Sequence, residues 1–237
     1  ARFQVKGYAK ASEHSEVALS ANFNQFNLKL VAGASAFHMK NWEQTNHHLS
    51  ALVKYLPSDH QARKMLAISQ LELGLVDNIS DTLHNFSAVD ESDASFLASL
   101  SYKLLELGAV DEAKALVEQN EELASPNAKQ NAQQGILKLM MNDPSGMQNL
   151  QDAVKLNPEL IEAELALAFS AVQSGDIEQA TAIAKKWEKK YPNKAGAFNL
   201  MATIHIKEKD FINAEKALKQ SLTVEPNNAF ALIEQVR

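Results

Sequence analysis

The chain has 237 residues, 46% hydrophobic and 22% charged, with a net charge of −6. That balance excludes nonspecific binding to nucleic-acid phosphates. With no cysteine there is no disulfide framework, thiolate metal site or cysteine nucleophile, which fits cytoplasm and periplasm equally. No apolar run approaches the roughly 18 residues that span a membrane.

The chain opens on ARFQVKGYAKA, which reads as the middle of a repeated unit. Gly7-Tyr8 stands where a turn precedes a helix, so residues 1–25 read as the second half of a two-helix unit. Six units follow, over 26–59, 60–93, 94–126, 127–160, 161–194 and 195–228, and 229–237 begins another. Their first residues, Phe26, His60, Ala94, Asn127, Ile161, Ala195 and Ala229, are 34 apart, except for a step of 33 into Asn127. A period of this size means one supersecondary unit stacked on its neighbours in a single array.

Within the units, Trp42 opens a second helix, and Ile79 stands where Ala113, Ala180 and Ala214 stand in later units. Gly74, Gly108 and Gly175 each fall just past a first helix, where a left-handed residue is wanted. The turn Asn142–Gly146 predicts a helix capped by Asp143 with Pro144 as its first residue. In the last full unit Phe198, Met201, Ala202 and His205 share one stripe of a first helix. Phe211, Ala214, Leu218 and Ser221 share the inward stripe of the second. Ala202 and Ala214 are small, so paired helices can approach closely there. Pro158, Pro192 and Pro226 recur every 34 residues and stop second helices.

These residues resemble the tetratricopeptide repeat (TPR) family: Phe198, Ala202, Phe211, Ala214, Leu218 and Pro226 in one unit, and Leu167, Ala168, Gly175, Ala180 and Pro192 in the unit before. The resemblance implies an all-α fold, a right-handed superhelical solenoid of antiparallel helix pairs. It also implies a binding groove lined by the first helices. Carried onto this sequence, that groove holds Phe37, Lys64, Ile68, Tyr102, Asn131, Phe169, Asn199 and Thr203. Ile68 stands one turn after Lys64 where a carboxylate-clamping TPR would carry Asn, so that clamp is not reproduced. Inter-repeat packing is an equal reading for Phe169.

Leu156–Ala180, Lys189–Leu218 and Val224–Leu232 further resemble the TPR lipoproteins found beside bacterial PEP-CTERM sorting and exopolysaccharide genes. That implies a periplasmic or outer-membrane-anchored scaffold; without it the cytoplasm is the expected location.

No GxSxG, HExxH, GxGxxG or Walker-type run occurs, so no catalytic residue, cofactor or metal is assigned. His47-His48 point about 100° apart on a helix and make no chelate alone; His84 stands one unit later on an equivalent helix, from which it could approach the pair. Asn78-Ile79-Ser80 and Asn85-Phe86-Ser87 fit an N-glycosylation pattern, but both fall in an expected helix. From Asp77 to Glu122 there are eleven acids against two lysines, and from Lys185 to Lys219 nine lysines against four acids. Solvated helix faces account for this pattern, as does a dipolar surface that steers a charged partner.

The expected function is therefore a noncatalytic scaffold that takes a peptide or partner protein in its groove. A regulatory or targeting arm of a larger enzyme, and a purely structural array, are the alternatives. Apolar faces near Tyr8 and Val17 at one end, and Phe230 and Ile233 at the other, predict weak end-to-end self-association.

Overall fold

The structure, a computed structural model, describes residues 7–23, 25–86, 90–121 and 127–236. Of the described residues 76% are helical, and none is in a strand. Contacts divide it into two compact units, Ala1–Ser125 and Pro126–Arg237. Pro126 lies outside the described residues.

The first unit holds α1 (Tyr8–Ser20), α2 (Phe26–His38), α3 (Trp42–Ser50), α4 (Gln61–Glu72), α5 (Asp77–Thr82), α6 (Glu91–Glu106) and α7 (Val110–Glu121). The second holds α8 (Ala128–Met140), α9 (Gly146–Leu156), α10 (Ile161–Ser174), α11 (Ile177–Lys190), α12 (Ala195–Lys207), α13 (Phe211–Val224) and α14 (Ala229–Glu234). Consecutive helices pack as hairpins: α2 on α3, α4 on α5, α6 on α7, α8 on α9, α10 on α11 and α12 on α13.

Polar caps start many of these helices by satisfying amides that have no intrahelical partner. Asn41 accepts from Gln44 N at 3.2 Å, Asp90 from Asp93 N at 2.9 Å and Asp210 from Asn213 N at 3.2 Å. Asn127 and Gln130 form a reciprocal capping box. The first helices α2, α4, α6, α8, α10 and α12 each end on a left-handed residue. These are Lys40, Gly74, Gly108, Asn142, Gly175 and Lys209, at φ between 58° and 87°. Their spacing is 34 throughout except from Asn142 to Gly175, where it is 33. Measured at this residue, the short step falls one unit later than the helix starts predict.

Small residues sit where paired helices cross. Ala180 and Ala214 are buried, as their spacing predicts. In the α8–α9 hairpin both crossing residues are glycine. A Cβ on Gly146 would stand 2.5 Å from the Gly135 carbonyl oxygen, and one on Gly135 would stand 2.8 Å from that of Gly146. Around such crossings lie Leu49, Leu52, Leu56 and Leu66 in the first unit, and Ala168, Val172, Ala184, Leu200 and Ile204 in the second.

Three local expectations are corrected. Helix α9 begins at Gly146 rather than Pro144, because the Asp143 carboxylate accepts from Ser145 N at 2.9 Å and holds 144–145 as a turn. Phe211 is not inward: at the first turn of α13 it is 66% exposed, while Ala214, Leu218 and Ser221 are buried. Helix α5 stops at Thr82, so His84 and Asn85 lie in a turn, with Asn85 left-handed at φ 56°. Ser87 lies outside the described residues. Of the residues named at the two ends, Val17 and Ile233 are exposed. Tyr8 stacks on His38 at 4.1 Å, and Phe230 packs beside the buried Ala202, Ala217 and Leu218.

Candidate functional site

The eight groove positions lie on first helices, with α2, α4 and α6 in one unit and α8, α10 and α12 in the other. In the first unit α2 packs against α4; in the second, α10 packs against both α8 and α12. The structure therefore places the candidate residues as two sets, one per unit.

In the first unit, Phe37 is half-buried, its ring edge-on to Trp42 at 5.7 Å. Ile68 is half-buried one turn after Lys64. Tyr102 is 44% exposed, a flat apolar body with one hydroxyl, which is the profile of a binding anchor. Lys64 does not offer a free cation. It forms an ion pair with Asp93, both side chains largely buried at 13% and 12% exposed, between the rings of Phe86 and Phe96. It ties α4 to the first turn of α6.

In the second unit, Asn131 is buried at 7% exposure and so lines no open surface. Phe169 packs against the buried Ala168, Ala171 and Val172 cluster. Asn199 is used internally: its Oδ1 accepts from Ser221 Oγ at 2.6 Å, and its Nδ2 donates to Asn228 Oδ1 at 3.1 Å. Thr203 Oγ1 donates to the Asn199 carbonyl at 2.9 Å, along its own helix. Of the polar candidates Asn131 is thus buried, while Lys64 and Asn199 join helices to one another. Tyr102 is the candidate with the most open surface.

Several polar residues outside the groove set turn out to be structural. His48 Nε2 lies 2.7 Å from Glu16 Oε1. The buried Glu164 carboxylate accepts from Trp187 Nε1 and from Lys186 Nζ. His205 lies partly buried, its Nδ1 3.7 Å from Glu208 and 3.9 Å from Asp210. Among the described residues no group of three or more His, Asp and Glu stands in metal-ligating range.

The second unit also holds open cavities that the candidate residues do not line. One of about 740 Å³ lies between the α8–α9 turn and the end of α10, walled by Leu139, Pro144, Met147, Ser170 and Gln173. One of about 280 Å³ lies between α11, α12 and α13, beside Phe198, Met201, His205 and Lys216. In the sequence the NDPSG turn beside the first reads as a helix start, and nothing in the spacing marks either cavity.

The hairpin series is matched in solved structures. The C-terminal part of a TPR repeat-containing protein from Cytophaga hutchinsonii aligns over 98% of this chain and 95% of its own, with a TM-score of 0.66 and 13% identity. The chain has the TPR fold. YrrB, a TPR protein with an unusual peptide-binding site, aligns over 80% of this chain and 98% of its own (TM-score 0.54, 16% identity). MamA aligns over 70% and 92% (TM-score 0.52, 17% identity). No protein-family model and no curated protein matches the sequence. No described helix is long and apolar enough to cross a membrane.

Proposed function

We propose that this chain is a noncatalytic protein-interaction scaffold that takes a peptide or partner protein on its first-helix face. The observation that carries the reading is Tyr102. A tyrosine 44% exposed on a first helix of a packed TPR array keeps apolar area in water that a ligand can cover. Ile68 and Phe37 lie half-buried on the neighbouring first helices of the same unit. The peptide-binding site of YrrB supports a peptide as the class of ligand. The inward use of Lys64, Asn131 and Asn199 supports apolar anchoring rather than capture of a carboxylate.

The resemblance to repeat lipoproteins beside PEP-CTERM genes supports an extracytoplasmic role in protein sorting or exopolysaccharide export. Fractionation of the source cells tests the location. Affinity capture with the intact chain, followed by titration of the captured protein, tests the groove. Tyr102→Ala weakens binding by at least about 2 kcal/mol, near thirtyfold, with an unchanged melting curve. Equal binding to wild type and to a Tyr102→Ala, Phe169→Ala double variant overturns the first-helix site.

A further inference from the structure

The net charge of the protein resides in one unit. Residues 1–125 carry sixteen acids against ten Lys and Arg, a net of −6, while 126–237 carry thirteen of each. Within the first unit the exposed acids flank exposed apolar residues at the hairpin turns. In the α4–α5 turn, Glu72 and Asp77 are exposed on either side of Leu73 and Leu75, with Leu75 38% open. In the α6–α7 turn, one 34-residue period later, Glu106 and Asp111 flank Leu107 and Val110, which are 61% and 45% open.

The two turns lie side by side, because α5 packs on α7. Lys103 near the end of α6 joins them electrostatically. Its ammonium is held above its ordinary range, mainly by its hydrogen bond to Glu106, with a smaller contribution from Glu72 of α4. The register carries different chemistry in the second unit. The positions of Glu72 and Glu106 are taken there by Met140, Gln173 and Lys207, and those of Asp77 and Asp111 by Ser145, Glu178 and Ile212.

We infer that the hairpin-turn edge formed by α4–α5 and α6–α7 is a docking surface for a cationic amphipathic helix of a partner protein. Packed helices stand roughly 8–10 Å apart. In a helical ligand, residues i and i+7 are about 10 Å apart on one face, so successive apolar side chains meet Leu75 and then Leu107 with Val110. The acids on both sides of each apolar contact match a lysine-rich flank. Apolar contact supplies affinity, and the charges supply orientation and rate of encounter. This edge is made by the C-terminal ends of α4 and α6, the turns after them and the starts of α5 and α7, past Tyr102 along α6, and the inference stands apart from the first-helix reading.

The probe is a synthetic 18-residue peptide with leucine on one helical stripe and lysine elsewhere, titrated by fluorescence anisotropy against the intact chain. Methyl spectra follow the same titration. Binding is expected to perturb Leu75, Leu107 and Val110 and to leave Leu30 of α2 unmoved. A Glu72→Gln, Glu106→Gln, Asp111→Asn variant, and separately a Leu107→Ser, Val110→Ser variant, each raise Kd at least tenfold. All five residues are exposed, so melting curves are expected to match wild type. An unchanged Kd in either variant overturns the inference. So does equal binding of an all-lysine peptide, or perturbation confined to first-helix methyls away from the turns.

Discussion

A residue with a Cβ held near φ +60° gives up roughly 1–2 kcal/mol that glycine does not. This chain spends that conformation at the ends of six first helices, α2, α4, α6, α8, α10 and α12, and fills it with glycine at Gly74, Gly108 and Gly175 but with Lys40, Asn142 and Lys209 elsewhere. At Gly175 a Cβ would meet nothing within 4 Å, so any effect of adding one is a backbone effect. Gly175→Ala is expected to lower stability by about 1 kcal/mol in urea unfolding, with Gly175→Asn closer to wild type. Gly146→Ala probes a different cause, since its Cβ would press on the Gly135 carbonyl. A loss at Gly175 that disappears in Asn but not in Ala ties the cost to φ. The three glycines were legible because glycine is the usual occupant of this position. Lys40 and Lys209 were not, because a lysine carries no mark of its φ. Site residues follow the same rule. The spacing put Lys64, Asn131 and Asn199 on first helices, but the partners that absorb them, Asp93, Ser221 and Asn228 among them, lie about 20 to 30 residues away, in other helices or capping them.

Helix α5 is the short member of its hairpin, six residues where other second helices run to 14. Its early stop exposes carbonyls that need donors. Arg63 and Gln119 supply them. The Arg63 guanidinium donates to the Thr82 carbonyl at the end of α5 at 2.7 Å, and also to the carbonyls of Val53, Leu56 and Pro57, in the stretch after α3, at 2.8–3.0 Å. Gln119 Nε2 reaches up from α7 to the carbonyls of Leu83, at 2.8 Å, and Phe86. The break thereby buries Leu83 and Phe86, the latter against the Lys64–Asp93 pair. Sequence periodicity carried this helix past Asn85, because the donors that make the break affordable are remote. Arg63→Met keeps the packing volume but leaves four carbonyls without their donor. Each lost bond to a charged donor is worth roughly 1.5–3 kcal/mol, so a total loss of at least about 3 kcal/mol is expected in urea unfolding. Arg63→Lys recovers little, since one ammonium lacks the forked geometry that spans four acceptors. A loss below about 1 kcal/mol would mean that water replaces the guanidinium at these carbonyls.

Charge and packing act differently across the whole molecule. In the second unit four exposed carboxylates are held below their ordinary range: Asp152 by Gln148, Glu159 by Lys190, Asp210 by Asn213 and Glu215 by Lys219. A depressed folded pKa gives stability that is complete above the unfolded value and is lost as pH falls through the folded one. The loss therefore begins below about pH 4.5 for the glutamates and 3.8 for the aspartates. Melting temperatures should hold down to that point and then fall, and 1 M salt should flatten the fall where an exposed ion pair is the cause. Packing is local by contrast, because in a repeat array each hairpin touches only its neighbours. Ala214, 3% exposed, sits where α13 crosses α12. Phenylalanine there has no room and is expected to cost roughly 1–3 kcal/mol by overpacking. Amide hydrogen exchange on Ala214→Phe resolves where that cost falls. Protection should drop most in α12, α13 and α14, less in α10 and α11, and not in α2 to α4, since opening free energies follow local contacts. A uniform drop along the chain would show that the protein unfolds as one cooperative body, and an unchanged profile would show that Ala214 does not lie at the crossing.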